Sequence, residues 1–395
     1  MLLAAGCSPV SELKPAEAAM VSVRDSAGIT IHESKGGGWS DAEAWTITTA
    51  PTVTIGTTEG DSLVQLSRVV GAVGLVGSRS AVLNGGSSQL LIYDSTGALV
   101  RAIGRRGQGP GEFGRPQHLT KDSGDRLSVW DINFGPISTF DTLGQLLSTR
   151  VTDLGRLMAA LGPGVRSEYL TPLPNGFYVA HVSKRVTPEP RTGTIVREPH
   201  GFVLVSDSLT ASPLGWYRGL EFVRRRVENR IEVRLPLAPS SAVVVGGGTP
   251  TQVYVTDGDK FAIDIFDMTG RQRALIRRDV VVERVPDRVI DSARALILGS
   301  GRGGVRTRAI PLYDGAQYYP AIVSMRVDHA GFLWALGHDH EWSIFEPTGT
   351  YVGSLRIPMD RVHDIGNDFI LGVTLDADGV ERVVRYALDR GIRSR

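Results

Sequence analysis

One cysteine in 395 residues, Cys7, rules out an internal disulfide and gives little ground for a thiol nucleophile. No run of eighteen or more apolar residues occurs, and mean hydropathy is -0.03, so nothing in the chain reads as a membrane-spanning helix. An excess of one charge is lacking too. The 43 Lys and Arg nearly balance the 42 Asp and Glu, and a formal net charge of +1 supplies no field for nucleic acid or an anionic membrane surface. There is no G-x-S-x-G elbow and no H-E-x-x-H helix. The glycine-rich stretch Gly104-Arg105-Arg106-Gly107-Gln108-Gly109-Pro110-Gly111 lacks the terminal Gly-Lys-Ser/Thr of a phosphate loop and leads into no helix. It reads as a turn between strands.

Turn-formers are abundant: 47 glycines and 21 prolines suit many short strands better than long helices. Hydrophobic residues make up 42%, enough for a buried core. From Gly104 to Asp141 the glycine loop runs into Glu112-Phe113 and Pro116, then into three short alternating apolar runs punctuated by Gly, Asp or Asn. Such alternation predicts antiparallel strands joined by tight turns.

An acid followed three residues later by glycine closes the same pattern repeatedly, at Asp94 to Gly97, Asp141 to Gly144, Asp267 to Gly270 and Glu346 to Gly349. Val203 to Thr210 is a degenerate copy with Asp207 as its acid. The acid accepts a backbone N–H in the turn, and glycine supplies the positive φ. Each copy has one apolar run after it and two before it, which makes four strands per unit, five times over. Residues Arg361 to Leu388 supply three more strands, with Asp376-Ala377-Asp378-Gly379 as a hairpin turn. The missing fourth strand is predicted at Thr52 to Ile55, pairing with Glu381 to Leu388. The expected fold is therefore all-β, a six-bladed β-propeller of four-stranded antiparallel blades whose N-terminal strand closes the last blade. Five or seven blades are the alternatives, the third being the hardest to phase. Residues 52–390 form the ring, preceded by a tether (1–20) and an extension (21–51).

Two stretches break the repeat. Arg218 to Arg234 is expected to be a basic connector between blades 3 and 4, solvated and partly neutralised by Glu221, Glu228 and Glu232. Residues 278–320 form an insertion between blades 4 and 5. Pro286 predicts a helix start there, and apolar Val289, Ile290 and Ala293 keep helical spacing to about Leu298.

The order of glycine loop, Glu-Phe, proline and G-x-L-x-V-x-D resembles an NHL repeat, and the whole chain resembles the bacterial six-bladed propeller lipoproteins with NHL-like blades. Leu2-Leu3-Ala4-Ala5-Gly6-Cys7 is similar to the end of a lipoprotein signal, though most of the basic and apolar leader is absent. These resemblances imply lipidation of Cys7 and an envelope location, with Ser8 favouring the outer membrane. The membrane would then be reached only through the lipid.

The functional expectation is a non-catalytic binding or scaffold propeller that holds an anionic small molecule or a protein partner at one mouth of the ring. Arg105, Arg106 and Arg115 on the glycine-rich loop, with Arg302 and Arg306 on the insertion, are the candidate binding residues, because guanidinium groups take carboxylates and phosphates in bidentate fashion. The alternative is a metal-dependent lyase or a lactone or ester hydrolase, as in other NHL-like propellers. No catalytic set, metal site or cofactor is expected. His338-Asp339-His340 comes nearest to a ligand pair, but reads as a hairpin turn facing solvent, and Tyr318-Tyr319 as blade packing.

Overall fold

The computed structural model describes residues 20–36, 38–40, 43–57, 65–122, 124–131, 136–151, 153–173, 177–184, 195–225, 231–234, 237–246, 250–292 and 318–391. Six antiparallel sheets form a ring, a six-bladed β-propeller. Blade 1 runs from its inner strand Val69–Gly74 through Ser80–Asn84 and Gln89–Tyr93 to Leu99–Ile103. The inner strands of blades 2 to 6 are Pro116–Lys121, Arg166–Pro172, Ala242–Gly246, Ser324–Val327 and Arg361–Ile365.

The expected closure is present. Val53–Ile55 pairs antiparallel with the third strand of blade 6, Ile55 opposite Val383 and Thr54 opposite Val384. Thr46–Ile47 extends the same edge, with Ile47 opposite Leu388. Joining the two chain ends in one sheet leaves no open edge there.

Strand alternation points every second side chain at a neighbouring blade, so the core is not one mass but six layers, one per blade interface. Leu83, Leu90, Phe113, Val129 and Phe140 fill the layer between blades 1 and 2. Ile55, Val69, Leu91, Leu371 and Val383 fill the layer between blades 6 and 1, where the ring closes. Each large side chain so buried contributes roughly 1.5–3 kcal/mol before chain entropy is counted.

The repeated turn has the expected chemistry. Asp94 Oδ1 accepts from the Thr96 N–H, the Thr96 hydroxyl and the Ala98 N–H, and Gly97 sits at φ +88°. Asp267 repeats these bonds with Thr269 and Arg271. Blade 3 departs by one residue. Ser206, not Asp207, occupies the acid's place: its Oγ accepts the Thr210 N–H at 3.0 Å, and Leu209 takes the left-handed position at φ +62°.

Three further features differ from the sequence reading. Most of the supposed basic connector is strand, because Ala211–Arg225 continues past the ring to pair with Ile195–Arg197 on one side and with Ile231–Arg234 on the other. A helix at Leu154–Leu161 links blades 2 and 3, capped by Asp153, which accepts the Arg156 N–H at 3.0 Å, and anchored by buried Leu157. The N-terminal extension forms a hairpin, Met20–Ser26 with Ile29–Lys35, whose second strand adds in parallel to the outer edge of blade 4. From there the chain passes over blade 5, where the Trp39 ring lies against Gly353 and Trp45 packs with Trp334 and Phe332. No helix among the described residues is long and apolar enough to cross a membrane.

Candidate functional site

Neighbouring strands within a blade run antiparallel, so connections alternate between the two ends of the ring. At one end, the turn end, the inner strand joins the second and the third joins the outer. All these connections have five residues or fewer. At the other, the crossover end, lie the second-to-third hairpins and the passages between blades. Every ring connection longer than five residues lies there: 56–68, 104–115, 151–165 with its helix, 184–194, the passage from blade 3 to blade 4, and 280–323. The overlong strands of blade 3 also project from this end.

At the turn end, side chains tie blades 5, 6, 1 and 2 to one another. Asp364 accepts the Gly74 N–H at 2.8 Å, tying blade 6 to blade 1, and lies 2.9 Å from His329 Nε2 of blade 5. Asp125 accepts the Val76 N–H at 2.9 Å and pairs with Lys121 at 3.0 Å, tying blade 2 to blade 1.

At the crossover end, the glycine-rich loop is built around Glu112. Its Oε1 pairs with Arg105 Nε at 2.7 Å and its Oε2 accepts the Gly109 N–H at 3.0 Å. These bonds hold its carboxyl below the usual carboxylate range, the Gly109 N–H having the largest effect. A Cβ on Gly107 would stand 2.0 Å from Glu112 Oε2 and would displace that carboxylate. Arg105 is thus committed to an internal acid while remaining largely exposed. Arg106 and Arg115 are exposed, and among the described residues neither side chain has an acidic partner. Asp131 fixes the end of the loop by accepting the Gly114 and Arg115 N–H groups at 2.6 Å each. The loop and the insertion share the crossover end, as anticipated, but Arg302 and Arg306 lie outside the described residues, as does Cys7. Residues 287–292 are helical and follow Pro286, as predicted, and residues 293–298 of the expected helix lie outside the described residues.

His338-Asp339-His340 forms the expected hairpin turn, with His340 exposed at φ +63°. His338 does not face solvent. Its ring stacks on Tyr319 at 4.9 Å and 4°, and its Nε2 lies 3.7 Å from Glu283 Oε2. Beside it a cavity of about 40 Å³ is lined by Arg278, Phe261, Asp339 and Glu341. That is room for a water or two. Arg278 donates to the Ser343 and Tyr351 hydroxyls and lies over the Tyr351 ring.

Sequence reading missed a second group, on the walls of the ring. His181 lies 2.9 Å from the Thr171 hydroxyl and His200 2.9 Å from the Ser241 hydroxyl, with their rings 5.6 Å apart. Burial first, then the positive potentials of His200 and His118, pushes His181 down to about 2, so it is neutral at any ordinary pH. These histidines come from separate strands with no common spacing, so no local signal joins them. Among the described residues, no three His, Cys, Asp or Glu side chains are grouped to hold a metal ion.

A family described as "6-bladed beta-propeller" (DUF5128) matches residues 57–164. No curated protein matches the chain. Among solved structures, a member of the DUF4221 family from Bacteroides vulgatus is similar at 8% identity and a TM-score of 0.50, covering 88% of this chain and 99% of that one. A Bacteroides fragilis protein described as exported has 13% identity, a TM-score of 0.48 and coverage of 92% and 100%. A streptogramin B lyase is more distant, at 11% identity and a TM-score of 0.39, covering 89% and 99%. At 8% identity the likeness to the DUF4221 protein is one of fold alone.

Proposed function

We propose that this propeller is a non-catalytic binding protein of the bacterial envelope that holds an anionic small molecule or protein partner at the crossover mouth. One observation carries the reading: the ring spends all its long connections on one end and closes the other with turns of five residues or fewer. A rigid ring presents such loops with little further ordering cost, which is where binding residues gather. Arg106 and Arg115 are the best-placed cations, since Arg105 already has Glu112. Arg302 and Arg306 extend the same chemistry along the insertion. Leu2 to Cys7 supports export and lipidation at Cys7, with an outer-membrane destination.

The test is capture of the full chain on a carboxylate-coated sensor. Arg106→Glu with Arg115→Glu lowers capture at least tenfold and leaves the melting temperature unchanged, whereas the same reversal at the turn end, Arg79→Glu with Arg271→Glu, leaves capture intact. An equal loss from both double variants contradicts the reading.

A further inference from the structure

Several arginines of this ring are neutralised by a neighbouring acid. Arg361 pairs with Glu381, Arg382 with Asp376, Arg390 with Asp328, and Arg197 and Arg218 with Asp259. Arg385 is buried over the Phe369 ring at 3.9 Å, but Asp368 and Asp364 act in its favour. Arg278 binds two hydroxyls, yet Asp339 and Glu341 line the same cavity.

Arg326 is different. It stands on the inner strand of blade 5, Ser324–Val327, and its guanidinium lies along the channel wall towards blade 6. Nε donates to the Val362 carbonyl of the neighbouring inner strand at 3.1 Å. Nη1 donates to the Met325 carbonyl at 2.8 Å and, more weakly, to the Ser324 hydroxyl at 3.4 Å. Every one of these acceptors is neutral. A guanidinium has five N–H donors, and the two on Nη2 have no partner among the described residues. Burial lowers its proton affinity, and no carboxylate among the described residues acts to restore it. A part-buried cation with no counter-charge among the described residues is costly, and an anion that met it would relieve that cost.

His363, on the inner strand of blade 6, stands close by. Its Nε2 is sealed from solvent with no hydrogen-bond partner among the described residues. Burial, then the charges of Arg326 and Arg361, hold it down at about 3, with Asp364 alone acting upward. The ring is therefore neutral and adds no charge of its own beside the guanidinium. Two carboxylates at the turn end, Asp364 and Asp125, are already engaged, the first with His329 and Gly74 and the second with Lys121 and Val76.

We propose that the central channel contains a subsite for one anionic oxygen group, a carboxylate or a phosphate, seated on Arg326 Nη2 beside His363 and reached from the crossover mouth. The bonds to Ser324 and Met325 lean the guanidinium towards that mouth, since Ser324 is the first residue of the strand entering from it. This deepens the binding reading, and rests on it only for the end by which the ligand enters. A single guanidinium with two N–H groups unpartnered among the described residues suits one terminal oxygen of a small ligand rather than a polyanion. An anion bound there also screens the charge that depresses His363, so its occupancy is reported by a second residue.

The experiment follows the side-chain NMR signals of labelled histidine in the full chain, with the His363 signal assigned by its loss in His363→Gln. Inorganic phosphate and acetate are titrated in separately, against chloride at matched ionic strength. A saturable shift of the His363 signal is expected, with its pKa moving up, in at least one of the two. Phosphate alone indicates a phosphoryl ligand, and acetate alone a carboxylate. Arg326→Met abolishes the response while the protein remains folded by circular dichroism. Should that variant not fold, Arg326→Lys, which retains the charge but not the donor geometry, weakens the response at least fivefold. No saturable shift with either anion in the unaltered protein overturns the proposal, as does an undiminished shift in folded Arg326→Met. Arg106→Glu with Arg115→Glu separates the two readings. If it abolishes sensor capture but leaves the His363 shift, both stand; if it abolishes the shift while Arg326→Met does not, the anion sits on the loop and the channel subsite is wrong. If Arg326→Met alone abolishes the shift and capture is unaffected by the loop variant, the subsite stands without the mouth reading.

Discussion

His329 Nε2 lies 2.9 Å from Asp364 Oδ1, and through this contact blade 5 is fastened to blade 6 at the turn end of the ring. The hydrogen bond that His329 donates to Asp364 raises the histidine above its ordinary 6.5, outweighing the opposing effect of burial. A group whose pKa is higher folded than unfolded stabilises the fold fully below the unfolded value and loses that effect as pH rises through the folded one. The melting temperature of the parent should therefore exceed that of His329→Gln most below pH 6.5, with the gap shrinking as pH rises through the raised value. A gap that widens with pH contradicts this assignment.

Closure of the ring by Val53–Ile55 makes a second forecast. Ile55 is 1% exposed in the layer between blades 6 and 1. Ile55→Ala should cost about 2–5 kcal/mol, as for other large-to-small changes in a packed core. Removing residues 1–19 should change the melting temperature little, whereas removing 1–56 should collapse it, because the outer strand of blade 6 goes with it. Equal melting of the two truncations by calorimetry would contradict the closure.

Blade 3 offers a gain rather than a loss. Ser206 supplies one acceptor where Asp94 and Asp267 each satisfy several donors. Ser206→Asp should restore the pattern and raise stability by roughly 0.5–1 kcal/mol, less any repulsion from Asp207. Chemical denaturation of the two proteins measures it, and an unchanged or lower midpoint counts against the repeat assignment.

What could be read in the sequence was what is local. The acid and glycine of each turn stand three residues apart, so the repeat, the blade count and the unpaired strand at each end were visible without coordinates. Pro286 marked its helix for the same reason. Asp153 and Gly162 flank the helix at Leu154–Leu161 as cap residues, a signal present in the sequence but passed over. Blade 3 was misphased because Asp207, one residue out of place, looked like the repeat's acid. The parallel pairing of Ile29–Lys35 with blade 4 depends on residues far apart in the chain, which no periodicity encodes. Arg326 and His363 were illegible for a different reason. Each is an ordinary residue in a short strand, and only the ring brings them together.

The proposed lipidation of Cys7 makes a prediction for the gene product in its own host. Expressed from its native gene, the protein should sediment with membranes, and Cys7→Ser should release it or stall its processing. Several acyl chains hold a protein firmly, where one does so only marginally. Cytosolic recovery of the unaltered product contradicts an envelope location.

The central claim, binding without catalysis at the crossover mouth, is tested most directly by assaying the purified full chain against a panel of esters and lactones, with divalent metal added and again with a chelator. The account predicts no turnover above the uncatalysed background under either condition. Metal-dependent turnover at enzymatic rates, abolished by the chelator and lowered by His338→Ala, would contradict it.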